Sequence, residues 1–109
     1  MPETTTLHLP PNYRQAVCTL LQQYLPQAEV WAYGSRVNGD YYEASDLDLV
    51  ARCPVNQTNN LGDLRDAFSD SNLPIIVQIV DWDRIPDDFR QEILVNYVVL
   101  QQGEQQKRS

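Results

Sequence analysis

The stretch SDLDLVA, residues 45–51, alternates strictly between leucines and other residues. Only a β-strand has a side-chain period of two, so Leu47 and Leu49 go to one face and Asp46, Asp48 and Val50 to the other. This predicts a half-buried strand whose second face is polar at one end. Two carboxylates about 4 Å apart repel by roughly 4 kcal/mol at an effective dielectric near 20. Such a pair takes up a proton or a cation, and hard oxygen donors at this spacing suit Mg²⁺. The competing reading is a pair of solvated acids on an exposed strand end. Four carboxylates lie in WAYGSRVNGDYYEASDLDLV, residues 31–50 (Asp40, Glu43, Asp46 and Asp48), and no lysine or arginine falls between Arg36 and Arg52 to balance them.

Gly34-Ser35 favours the cation. It follows AEVWAY, residues 28–33, a short run of strand formers, and precedes a turn or single helical turn, SRVNG. A glycine lets a phosphate approach the backbone closely, and a serine hydroxyl with nearby N–H groups can donate to it. Arg36 adds positive charge at the same bend. Together these residues form a phosphate cradle beside a metal site.

The remaining elements follow from periodicity. Tyr13, Ala16, Val17, Leu20, Leu21, Tyr24 and Leu25 make one stripe of an amphipathic helix, with Asn12 as its N-cap and Pro26 as its stop. PVNQTNN, residues 54–60, reads as a loop, and Leu61, Leu64, Ala67 and Phe68 mark a shorter helix capped by Asn59 or Asn60. PIIVQIVDW, residues 74–82, is apolar on both faces except at Gln78, the pattern of a central strand. Pro86 with Asp87 and Asp88 starts a last helix, whose apolar face is Phe89, Ile93 and Tyr97. NYVVL continues that helix or forms a final strand; periodicity leaves both open. The order predicts one α/β (α+β) domain over residues 1–109, a small mixed sheet of three to four strands flanked by helices, with flexible ends at 1–9 and 103–109.

Charge narrows the partners. With eight basic and fifteen acidic residues the net charge is −7, so there is no basic stripe to track phosphates. Such a surface suits a basic protein or a metal-chelated nucleotide. Cys18 and Cys53 have neither metal-binding nor redox spacing and read as small core residues. His8, among threonines and prolines, reads as a solvated residue near a mobile end. No apolar run approaches the roughly 20 residues of a membrane span, and MPETTTLHLPP lacks the pattern of a signal peptide. A cytoplasmic location is the expectation.

Gly34-Ser35, ten residues, then Asp46-Leu47-Asp48 resembles the nucleotidyltransferase signature of the DNA polymerase beta superfamily. The wider YGSRVNGDYYEASDLDLV resembles the minimal nucleotidyltransferases of prokaryotes, and the likeness spans nearly the whole chain. The resemblance implies an antitoxin paired with a HEPN-domain ribonuclease, transferring AMP from Mg-ATP to a tyrosine hydroxyl of that toxin. It implies that Gly34, Ser35 and Arg36 hold the phosphates and that Asp46 and Asp48 bind one or two Mg²⁺. Tyr33, Tyr41 and Tyr42 are base-stacking candidates, with core packing or partner contact as the plainer reading. The family places a third aspartate on the strand after the middle helix, where this chain has Gln78. A glutamine oxygen can ligate a metal but cannot act as a carboxylate base. Asp81, three positions on, points to the opposite strand face and is expected to cap the following turn. The departure leaves a second reading, neutralisation of the toxin by complex formation without catalysis.

Overall fold

In the computed structural model, which describes residues 7–53 and 60–102, helices cover both faces of a four-stranded sheet. Helix α1 (Pro11–Tyr24) leads into β1 (Glu29–Tyr33), one helical turn α2 (Ser35–Asn38) and β2 (Leu47–Arg52). Helix α3 (Asn60–Asp70), β3 (Val77–Asp81), a 3-10 helix (Trp82–Arg84), α4 (Asp87–Val95) and β4 (Val98–Gln101) complete the order. The strands lie in the order β3-β2-β1-β4, with β2–β3 parallel and the other pairs antiparallel.

The alternation read from the sequence sorts the sheet into two faces. Val30, Ala32, Leu47, Leu49, Ala51 and Ile79 bury one face with Val17 and Leu21 of α1 and Leu64 and Phe68 of α3. The other face carries Trp31, Val50 and Ile93 as a smaller cluster, with Tyr33 and Phe89 packed against it. At one end this second face gives way to Asp48 and Gln78, a register pair across β2 and β3. The acids therefore sit where the apolar cover of the sheet stops.

Several expectations change. PIIVQIVDW forms an edge strand and not a central one, and only Val77–Asp81 of it is extended. Its apolarity reflects cover by helices on both faces, which does not determine strand order. Ile76 is left exposed. Residues 96–101 resolve in favour of a strand, β4 on the outer side of β1, and Tyr97 lies beyond α4, stacked on Trp31 with ring centroids 4.4 Å apart. Helix α1 starts at Pro11 after Pro10, so Asn12 lies inside the first turn; the proline lacks the N–H that a cap would satisfy. Asn60 donates its side-chain amide to the Tyr24 carbonyl instead of capping α3, and Asn59 lies outside the described residues.

The expected flexible end at 1–9 is packed at least from residue 7: Leu7 is buried, and the His8 N–H donates to the Arg36 carbonyl at 2.7 Å. His8 is not simply solvated, because its ring stacks on Tyr41. Residues 1–6 and the expected flexible end at 103–109 lie outside the described residues, as do residues 54–59 of the expected loop. Both cysteines are free and half-buried, and burial pushes both thiols up, Cys53 to about 11. Among the described residues no helix is long and apolar enough to cross a membrane.

Candidate active site

β1 runs into Gly34, whose φ of 88° and ψ of −155° lie in backbone space open essentially to glycine alone. The chain there turns sharply into α2, and the Gly34 carbonyl accepts from the Val37 and Asn38 N–H groups at 3.0 and 2.9 Å. A second constraint acts on the same residue. A Cβ at Gly34 would stand 2.6 Å from Oδ2 of Asp48, so the Asp48 carboxylate rests directly against the bend. The antiparallel register produces this, since Tyr33, the residue before Gly34, pairs with Asp48. Ser35 is half-buried, and its hydroxyl has no hydrogen-bond partner among the described residues. It is free to donate to a ligand at the bend.

Asp46 lies just ahead of β2 and Asp48 inside it, both half-buried. Neither forms an ion pair among the described residues; Asp81, on the other face, does so with Arg84 at 3.7 Å. Burial first, and the Asp46 charge second, push the Asp48 carboxyl above the ordinary carboxylate range. Its charged form is thus penalised in the fold, and a proton or a bound cation relieves that penalty. Tyr33 reports the same field: burial and then Asp48 push its hydroxyl up to about 12. A group raised in the folded state gives up stability as pH climbs from its unfolded value, near 10. Urea melts between pH 10 and about 12 should therefore show a falling stability that Tyr33→Phe flattens.

Gln78 stands across from Asp48 on β3, on the acid face, and its Nε2 donates to Asp46 Oδ2 at 3.1 Å. The polar break in an otherwise apolar strand thus lies beside the acid pair. Asp81 occupies the other face, buried, where it accepts from the Asp83 N–H at 3.1 Å and caps the 3-10 helix. It is removed from the acid pair and takes no place beside it.

Arg36 departs from expectation. Its guanidinium is buried and points to backbone carbonyls of Ser45, Glu43 and His8, so it is not free to meet a phosphate. A side chain's direction depends on what the distant chain places beside it, and the sequence around residue 36 carries no such signal. Tyr33 packs edge-on to Phe89, Tyr41 stacks on His8, and Tyr42 is exposed. Of the three, only Tyr42 presents an uncovered ring.

No three acidic, histidine or cysteine groups converge among the described residues. The donor set for a metal is the Asp46/Asp48 pair, two hard carboxylates with no protein cation. That chemistry fits a divalent cation of the Mg²⁺ class, which keeps several waters and shares its shell with a bound phosphate. The glycine bend, with the free Ser35 hydroxyl beside it, lies directly against one member of that pair, Asp48.

Residues 15–106 match the model of the family described as polymerase beta, nucleotidyltransferase, and the chain belongs to that family. It is 43% identical over 90 residues to the probable protein adenylyltransferase MntA of Haemophilus influenzae, covering 81% of this chain and 78% of that one. A toxin–antitoxin crystal structure with AMP-PNP superposes with a TM-score of 0.68 at 19% identity, over 85% of this chain and 76% of that one. A mutant of the MntA–HpeT toxin–antitoxin gives 0.67 at 17% identity, again over 85% and 76%. The structural likenesses bear on the fold, a mixed α/β nucleotidyltransferase fold; the sequence match makes the chain an enzyme of this class.

Proposed function

We propose that the chain is an antitoxin that transfers AMP from Mg-ATP to a tyrosine hydroxyl of a cognate HEPN-domain ribonuclease, releasing pyrophosphate and inactivating the toxin. The observation that carries this reading is the contact between the Asp48 carboxylate and the Gly34 bend. A carboxylate pair alone would be a solvated strand end; pressed against a glycine bend with a free serine hydroxyl, it is a place for a nucleotide and its metal. The name of the Haemophilus influenzae relative, a probable protein adenylyltransferase, supports AMP as the group and a protein as the acceptor. The toxin–antitoxin relatives support a toxin as that protein, and the net charge of −7 suits a basic one.

Phosphoryl-group transfer asks a protein mainly for positioning and charge neutralisation. Gly34 leaves room for the phosphates, and the Ser35 hydroxyl donates to one of them. Asp46 and Asp48 would hold Mg²⁺, which would supply charge neutralisation at the phosphates. The tyrosine oxygen forms a bond to the α-phosphorus as the bond to pyrophosphate breaks, and the tyrosine proton leaves to a base.

The base separates this reading from the second one. Gln78 occupies the register position opposite Asp48 and cannot accept that proton as a carboxylate would. This single residue favours a protein that neutralises its toxin by binding alone. Gln78→Asp distinguishes the two: in a weakened enzyme it raises transfer, by about a hundredfold or more where the new carboxylate acts as a positioned general base. No change means that residue 78 does not stand where the base belongs. The direct test is to incubate protein, Mg²⁺, ATP and the cognate HEPN ribonuclease and weigh the intact toxin. A gain of AMP on a tyrosine supports the first reading. A stable, unmodified and inactive complex supports the second.

A further inference from the structure

We propose that Arg36 is a positioning residue that locks the two halves of the site together; this rests on the reading of Asp46 as a metal ligand. Arg36 directly follows Ser35, the phosphate side, and Ser45 directly precedes Asp46, the metal side. The Arg36 Nε donates to the Ser45 carbonyl at 3.0 Å, so the residue after the cradle grips the residue before the ligand. Its Nη2 donates to the Glu43 carbonyl at 3.0 Å, and its Nη1 to the His8 carbonyl at 2.9 Å. A planar guanidinium carries five donors in a fixed fork, and here all three nitrogens reach carbonyls of two separate segments. The group is 2% exposed and forms no ion pair among the described residues; its charge is spent on peptide dipoles.

The clamp matters because Asp46 lies outside any strand. On its N-terminal side the turn is closed twice, by the Tyr42 N–H on Ser45 Oγ at 2.8 Å and by the Ser45 N–H on the Tyr42 carbonyl at 2.9 Å. That closed turn is anchored to the body by Arg36. On its C-terminal side the Leu47 N–H donates to the Ile76 carbonyl at 2.9 Å. Both neighbours of Asp46 are thereby held, and the Arg36 hold is the one that also fixes it relative to Ser35. Tyr41, beneath the guanidinium at 5.5 Å and stacked on His8, fills the remaining side. Groups that orient a metal ligand without touching the metal are typically worth 10–100-fold in affinity.

The test uses Arg36→Lys, which keeps the charge but has one nitrogen for three carbonyls, and Arg36→Met, which has none. Mn²⁺ alone is titrated into each protein and free ion is read by its paramagnetic resonance signal. The Mg²⁺ concentration for half-maximal transfer and the melting temperature are measured beside it. Leu64→Ala, a cavity in the core away from the site, is the control for lost stability. The expected result is Mn²⁺ affinity lowered about tenfold or more in Arg36→Met and less in Arg36→Lys, while Leu64→Ala melts earlier yet binds Mn²⁺ as wild type does. Folded Arg36 variants that bind Mn²⁺ like wild type overturn the proposal. So does failure of both to fold, which would make Arg36 a requirement of the fold and not of the site. If Asp46→Asn also leaves Mn²⁺ binding intact, the metal reading fails and takes this one with it. If Asp46→Asn abolishes binding and the Arg36 variants do not weaken it, only the positioning claim is lost.

Discussion

Replacing both Asp46 and Asp48 by asparagine is expected to leave a folded protein whose Mg²⁺-dependent AMP transfer is lowered about a thousandfold or more. A bound metal supplies several kcal/mol of charge stabilisation, and about 4 kcal/mol corresponds to roughly a thousandfold in rate. The fold survives because neither side chain holds it together: both are half-buried, neither forms an ion pair among the described residues, and Asp48 is penalised in its charged form. The same observations give the double variant a second signature. Removing two like charges from neighbouring side chains relieves their mutual repulsion, so the metal-free variant is expected to melt at or above the wild-type temperature. Adding Mg²⁺ raises the melting temperature of the wild type and leaves the variant's unchanged. Label transfer from α-labelled ATP, followed alongside thermal melts with and without Mg²⁺, reads both effects. Transfer undiminished in the double variant would remove the carboxylates from the mechanism.

Gly34→Ala has an effect of comparable size for two separable reasons. Its backbone, at φ 88° and ψ −155°, is one a side chain tolerates poorly, and such strain costs on the order of 1–3 kcal/mol. For a domain of this length that lowers the melting temperature by roughly 5–20 °C. The added methyl also meets Asp48 Oδ2 at 2.6 Å. A carboxylate end can swing away at little cost in stability, but it then no longer faces the bend, and transfer is lost. Gly39 separates the two effects. Its φ is 93°, yet a Cβ there would meet nothing within 4 Å. Gly39→Ala is expected to lose stability as Gly34→Ala does while keeping most of its transfer. Equal transfer in both variants would mean that the contact between Gly34 and Asp48 has no functional weight.

The acid corner was legible because its signals are local and periodic. Two aspartates at strand spacing must share a face, and a glycine at a strand end must serve a turn or a close approach. In the structure Gly34 serves both. Gln78 was legible for a similar reason, as one polar break in an apolar strand, and Asp81 by its odd spacing from it. Pairing was not legible in the same way. The apolarity of residues 74–82 reports cover by helices, not neighbours in the sheet, so β3 read as central while it forms an edge. The use of Arg36 was hidden too, because its partners are carbonyls, which every residue has, and they belong to segments 7, 9 and 28 residues away. The packing of Leu7 and His8 was masked by the threonines and prolines around them, which suggest a loose end, whereas the Arg36 contacts tie those residues down.

In the proposed site Asp46 and Asp48 would hold one or two divalent cations, beside the bend at Gly34 and Ser35. Crystals grown with Mn²⁺ and AMP-PNP test this directly, since manganese is located by its anomalous scattering. The expected result is an anomalous peak within ligand distance of both carboxylates, with the triphosphate between that peak and the Ser35 hydroxyl. A triphosphate bound elsewhere, or an ion that leaves the two aspartates apart and unligated, would contradict it.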